Sequence, residues 1–143
     1  MERLVFINIG SNLGDRRKNL SQAMRRVAMG FGDFEISHVM ESEPWGFESK
    51  HSFLNVAMVF RSDLEPLEIL HKLQAIERSI SPTSHRTAAG GYADRIVDID
   101  IMTIEGVRME SDELTLPHPH LKERPFFMEP LQELLDQLPQ PIE

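Results

Sequence analysis

The chain has 143 residues, 41% of them hydrophobic and 27% charged, with a formal charge of −8 and no cysteine. That length suits a single domain with a core of its own, and the charge excludes general nucleic-acid binding. Without cysteine there is no disulfide framework and no thiolate nucleophile or metal ligand. The first apolar run, Leu4 to Ile7, is too short for a signal peptide, and no run is long enough to cross a membrane, so the expected location is the cytoplasm. From Glu105 onward nine acids face three bases, so a polyphosphate substrate would need metal ions and local arginines to balance its charge.

Arg3 to Ile9 reads as a first strand, broken by the turn residues Gly10-Ser11-Asn12-Leu13-Gly14-Asp15. Asn12 or Asp15 is placed to cap a helix from about Arg16 to Met29, where Leu20, Ala23, Met24, Val27 and Ala28 recur at helical spacing. The glycine spacing matches neither common phosphate-loop pattern, so the turn is read as a capped strand-to-helix connection. Phe34 to Met40 is a second strand. The loop Glu41–Ser52 carries Pro44-Trp45-Gly46-Phe47, either a satellite core or an aromatic binding wall. In a third strand, Phe53 to Phe60, Asn55 is a polar residue inside an apolar run and needs partners if buried. Pro66 opens a second helix that extends to about Glu77, with Gln74 and Glu77 one turn apart. The long polar loop Ser79–Asp94 then brings Arg86, Tyr92 and Arg95 up to the next strand.

That strand, Arg95-Ile-Val-Asp-Ile-Asp-Ile-Met102, organises the rest. Side chains of a strand alternate between faces, so Asp98 and Asp100 share one face, about 6–7 Å apart at Cα, while Val97, Ile99 and Ile101 take the other. Two like charges on an apolar strand repel unless something positive sits between them. A divalent cation that prefers oxygen is the simplest candidate, Mg²⁺ where phosphates complete the coordination. The plainer alternative is an edge strand with a solvated acidic face.

Glu105-Gly106-Val107 turns into a small hairpin ending near Leu116. His118 and His120 lie between prolines, but with no cysteine and no third histidine nearby a zinc site is the weaker reading. Arg124-Pro125-Phe126-Phe127 precedes a last helix ending near Leu138. The order of elements suits an α+β sandwich with helices on one face of a mainly antiparallel sheet.

Taken together and in order, several segments resemble one family. They are Ile7-Asn8-Ile9-Gly10-Ser11-Asn12-Leu13, Glu43-Pro44-Trp45-Gly46, Phe53-Leu54-Asn55, Arg95-x-x-Asp98-Ile99-Asp100-Ile101, Leu116-Pro117-His118-Pro119 and Arg124-x-Phe126. The chain is similar over nearly its whole length to the 6-hydroxymethyl-7,8-dihydropterin pyrophosphokinases of folate biosynthesis. The resemblance implies a ferredoxin-like βαββαβ sandwich with an extra C-terminal hairpin and helix, forming one pyrophosphokinase domain over residues 1–143 with no fused second enzyme, and acting as a monomer. It implies transfer of pyrophosphate from ATP to the pterin hydroxymethyl group, releasing AMP. ATP and the pterin would be the small-molecule partners, and two Mg²⁺ ions the cofactors, held by Asp98 and Asp100.

The resemblance also assigns the other residues. Arg95, Asp98, Asp100 and Arg86 form the catalytic group. Ser42, Pro44, Trp45, Gly46, Phe53, Asn55 and Phe126 hold the pterin, with Phe53 and Phe126 stacking on the ring. Gln74, Glu77, Ile101, Thr115, His118 and Arg124 line the ATP side, with Arg95 and Arg124 on phosphates. The chain departs from the family where Ser81-Pro82 replaces a usual Gly-Arg, which makes Arg86 the candidate for the missing arginine. Tyr92 stands where tryptophan is common, Asp94 where a small residue or proline is preferred, and Phe53 where tyrosine is frequent. The loops Glu41–Ser52 and Ser79–Asp94 are expected to close over ATP. A ferredoxin-like module that binds nucleotide or pterin without catalysis is the alternative, as is a different two-carboxylate metal enzyme.

Overall fold

The computed structural model describes residues 2–43, 52–81 and 96–138. The elements are β1 (Arg3–Ser11), α1 (Arg16–Phe31), β2 (Phe34–Ile36), β3 (Met40–Ser42), β4 (Phe53–Ser62), α2 (Pro66–Ile80), β5 (Asp98–Ile104), β6 (Met109–Glu110), β7 (Thr115–Leu116) and α3 (Pro125–Gln137). The main sheet is antiparallel in the order β2-β4-β1-β5, with β3 also paired to β4. β6 and β7 pair as the expected small hairpin. No helix among the described residues is long and apolar enough to cross a membrane.

Alternation along β1, β4 and β5 sorts the core into two layers. Val5, Ile7 and Ile9 of β1, Leu54, Val56, Met58 and Phe60 of β4, and Ile99 and Ile101 of β5 pack against Leu20, Ala23 and Val27 of α1 and Ile69 and Leu73 of α2. The opposite face carries Leu4, Phe6, Ala57, Val59 and Met102, packed on Phe127, Leu131 and Leu134 of α3. The helices are therefore not all on one face, as the order of elements suggested. The third lies on the far side, because its apolar stripe matches the residues that alternation leaves uncovered there.

The local signals act where they were read. The Asp15 side chain accepts a bond from the Lys18 amide at 3.1 Å and caps α1. The preceding turn is closed by Asn19, whose amide donates to Ser11 Oγ and Leu13 O at 3.1 and 2.8 Å. α2 begins at Pro66 and runs through Ser79 and Ile80, residues assigned above to a loop.

Two irregularities set the site. The expected single second strand is split around Ser37, which is buried and accepts the Ala57 amide on its hydroxyl at 2.9 Å. Phe34 pairs with Phe60 and Ile36 with Met58, but Met40 pairs with Asn55 and Ser42 with Phe53. One extra residue has entered between β2 and β3, and a one-residue shift turns side chains to the other face. Ser42 thereby comes to the same face as Asn55. On the other flank, Phe6 pairs with Thr103 and Ile7 with Ile101, leaving Met102 as a bulge. The Met102 carbonyl accepts from the His118 amide at 2.8 Å, which docks the segment after β7 onto the sheet.

Candidate active site

On the α3 face, each of the three adjacent strands β4, β1 and β5 changes character at the same level. β1 passes from Leu4 and Phe6 to Asn8 and Gly10, β4 from Val59 and Ala57 to Asn55 and Phe53, and β5 from Met102 to Asp100 and Asp98. In register, Asn8 lies opposite Asp100, and Gly10 lies between Asn55 on one side and Asp98 on the other. α3 covers only the apolar half. The polar half forms the floor of a pocket walled by Ser42, Glu43, Phe53, Asn55, Arg124, Phe126 and Phe127.

The pocket is narrow, with a cavity of about 20 Å³, room for little more than one water. Its polar groups are already arranged. The Asn55 amide donates to Ser42 Oγ at 2.7 Å, and the Asn8 amide donates to the Phe126 carbonyl at 2.8 Å, tying β1 to the first turn of α3. Phe126 and Phe127 meet edge to face with centroids 5.0 Å apart. They belong to the helix itself, which begins at Pro125 rather than after them. Arg124 occupies the N-cap position of that helix and is 2% exposed, with its guanidinium 5.7 and 4.9 Å from the Phe126 and Phe127 ring centres. Gly10 has a steric role: a Cβ there would sit 3.1 Å from Asn55 Oδ1 and 3.4 Å from a Phe53 ring carbon.

A second cavity, about 570 Å³, opens on the other side of the same strand, lined by Gln74, Glu77, Ile99, Asp100, Ile101, Thr115, His118 and the turn Ser111–Leu114. Asp100 belongs to the walls of both. His118 is held edge-on to Phe127 at 5.0 Å, and its Nδ1 accepts the His120 amide at 3.0 Å. Among the described residues no cluster of three or more histidine or acidic side chains is grouped to hold a metal. Asp98 and Asp100 alone offer a pair of carboxylates on one strand face, and Asp98 is buried. A two-carboxylate oxygen set suits a hard cation that completes its shell with phosphate and water, and it suits zinc poorly.

The expected residues thus divide between two cavities. Ser42, Phe53, Asn55, Phe126, Asp98 and Asp100 share the narrow pocket, while Gln74, Glu77, Ile101, Thr115 and His118 share the wide one. Arg124, expected on the ATP side, lines the narrow pocket instead, because as the residue before α3 it is drawn in with Phe126 and Phe127. Pro44, Trp45, Gly46, Arg86, Tyr92, Asp94 and Arg95 lie outside the described residues.

Asn8, Gly10 and Arg16 were not singled out from the sequence. The signal for Asn8 was the one used for Asn55, a polar residue amid apolar strand neighbours. Arg16 donates to Glu41 Oε2 at 3.2 Å and to Ser52 O and Oγ at 3.1 and 3.0 Å, joining the residues that precede Phe53 and Ser42. The hydrogen bond from Ser52 and the Arg16 guanidinium hold the Glu41 carboxyl below its usual range.

The sequence profile of the 7,8-dihydro-6-hydroxymethylpterin-pyrophosphokinase (HPPK) family matches residues 6–136. A Porphyromonas gingivalis protein named 2-amino-4-hydroxy-6-hydroxymethyldihydropteridine pyrophosphokinase is 43% identical over 134 residues, covering 92% of this chain and 90% of its own. The Bacillus subtilis protein of that name is 32% identical over 140 residues, covering 96% of this chain and 81% of the relative. Among solved structures, a crystal structure of HPPK-DHPS in complex with substrates superposes with a TM-score of 0.67 at 14% identity, covering 94% of this chain and 40% of that one, a likeness of fold.

Proposed function

The chain belongs to the 7,8-dihydro-6-hydroxymethylpterin-pyrophosphokinase family, and from that premise we propose how its two cavities carry the reaction. It transfers pyrophosphate from ATP to the hydroxymethyl group of 6-hydroxymethyl-7,8-dihydropterin, giving the pterin diphosphate and AMP, in tetrahydrofolate biosynthesis. The observation that supports the site assignment best is that Asp100 is a wall of both cavities. A phosphate chain entering from the wide cavity and a hydroxymethyl group entering from the narrow one would meet at the Asp98–Asp100 face.

In this reading Phe53 and Phe126 take the pterin ring between them, and Asn55, oriented by Ser42, reads its polar edge. A flat bicyclic ligand fills far more than the narrow pocket offers, so its walls part on binding. Such a site discriminates against analogues that lack the matching polar atoms, since its own groups would be left unpaired. Gln74, Ile101, Thr115 and His118 hold the nucleotide, Glu77 stands in the same wall bonded to the Ile99 amide, and Arg124 reaches phosphate oxygens from the pterin side. Arg95 and Arg86, with the segment Pro44–Gly46, are proposed to complete the two sites. Asp98 and Asp100 would hold two Mg²⁺ ions, which when bound neutralise charge on the transferring group. The hydroxymethyl oxygen forms its new bond to the β-phosphorus and releases its proton to solvent, the bond from that phosphorus to the α-phosphate oxygen breaks, and AMP leaves with the electron pair. What the chain contributes is mainly alignment of the two ends and exclusion of water.

The strand order β2-β4-β1-β5, with α1 and α2 on one face, supports a ferredoxin-like arrangement within this sheet. The same reading takes the chain as one pyrophosphokinase domain, monomeric and cytoplasmic, with ATP and the pterin as its small-molecule partners. AMP formation from ATP and Mg²⁺, followed with and without 6-hydroxymethyl-7,8-dihydropterin, is the test. AMP that requires the pterin is expected. Binding of both ligands with no AMP would favour a non-catalytic module, and nucleotide turnover without the pterin would favour a different two-carboxylate enzyme.

A further inference from the structure

Among the described residues β5 is the outer strand of the sheet: β1 pairs with it on one side, and no described strand follows on the other. Successive amides of a strand point to opposite edges, so the Ile99 N–H faces away from the edge used by Asp98 and Asp100. Such an outward donor on a buried residue needs a partner, and Ile99 is buried. The partner comes from α2. Glu77 Oε2 accepts the Ile99 amide at 2.8 Å, across 22 residues of sequence. Asp98 and Asp100 are the immediate neighbours of that amide, and Glu77 and Asp100 line the same wide cavity.

We propose that Glu77 is a positioning residue for the Asp98–Asp100 pair: its carboxylate fixes the Ile99 peptide, and through it the face on which both aspartates meet the cation. The inference rests on the reading of those aspartates as metal ligands. It differs from a nucleotide contact in its mechanism, since Glu77 acts through an acceptor oxygen on a backbone amide. An edge strand whose outer amide lacks an acceptor can twist locally. Glu77 opposes it from the apolar side of the sheet, where α2 is anchored by Ile69 and Leu73. A glutamine keeps an acceptor oxygen at the same reach and an alanine keeps none, so the two substitutions separate this role from that of a negative charge.

Glu77→Ala and Glu77→Gln are compared with the wild-type chain by two readouts. One is amide hydrogen exchange at Ile99 without ligand. The other is calorimetric titration of Mn²⁺ in the presence of a non-hydrolysable ATP analogue. Glu77→Ala is expected to speed exchange at Ile99 and to weaken Mn²⁺ binding, each by about tenfold, as loss of one good hydrogen bond implies. Glu77→Gln is expected to stay within about threefold of wild type on both, the difference that a retained acceptor predicts. Unchanged Ile99 exchange in Glu77→Ala overturns the proposal. So does equal loss of Mn²⁺ affinity in both variants, which would make the charge the active feature. Pterin-dependent AMP formation by the wild-type chain is scored separately: its absence overturns the reaction assignment, while the exchange and Mn²⁺ results still decide the role of Glu77.

Discussion

The two ends of one sheet face make the most instructive comparison in this molecule. Under α3, the strands contribute Leu4, Phe6, Ala57, Val59 and Met102, sealed by Phe127, Leu131 and Leu134. A few residues along the same strands, the same face contributes Asn8, Gly10, Phe53, Asn55, Asp98 and Asp100, and only the first turn of α3 reaches it, through Phe126 and Phe127. Backbone pairing runs unbroken through both regions of β1 and β4. Within β1 and β4 the difference is therefore one of side chains, while the Met102 bulge and the residue inserted between β2 and β3 mark the boundary on the flanking strands. The apolar end supplies the burial that holds the domain together, and the polar end depends on that rigidity while adding little to it.

If that division is right, substitutions at the two ends separate activity from stability. The largest effect is expected from Asp98→Ala. Loss of this proposed metal-binding carboxylate should lower pterin-dependent AMP formation on the order of a thousandfold, since several kcal/mol of transition-state stabilisation are at stake. Its urea midpoint should stay at the wild-type value or rise. At the other end, Leu134→Ala, at a fully buried position of α3, should cost about 2–4 kcal/mol in urea unfolding. Activity per folded molecule should stay within about threefold of wild type, because the residue touches no ligand.

Gly10→Ala tests the boundary itself. The added methyl would press on Asn55 and Phe53, so the Michaelis constant for the pterin should rise by about tenfold, in the range that overpacking costs, with little change in that for ATP. The smallest effect concerns the outer rim of α3. Glu133 accepts the His38 amide at 2.7 Å, and that bond and the adjoining imidazole hold its carboxyl below the ordinary 4.5. A lowered folded value means stability that is present above the unfolded value and lost as pH falls through the folded one. The melting temperature of wild type should therefore slightly exceed that of Glu133→Ala at neutral pH, and the gap should close as pH drops below about 4.5. A gap that grows on acidification would contradict the assignment.

The sequence was most legible where period-two alternation governs. Phe53 and Asn55 on one side of β4, and Asp98 and Asp100 on one side of β5, follow from spacing alone. So does the capped start of α1 at Asp15. Features that depend on a partner strand were not legible. The extra residue between β2 and β3 brings Ser42 to Asn55, yet nothing in Ser37-His38-Val39 announces an inserted position, because a bulge is defined by what lies opposite. The Met102 bulge, which holds the His118 segment, is hidden for the same reason. Arg124 would be read as solvated in isolation, and its burial against Phe126 and Phe127 is a tertiary effect. The side of the sheet chosen by α3 became decidable only once α1 and α2 had covered the other face.

The most direct test of the division takes Asp98→Ala and Leu134→Ala through the same two assays, pterin-dependent AMP release and urea unfolding. The account predicts crossed outcomes: AMP lost with stability kept in Asp98→Ala, and stability lost with AMP per folded molecule kept in Leu134→Ala. Near-normal AMP release by a folded Asp98→Ala chain would contradict it, and would move the reaction away from the polar end of the sheet.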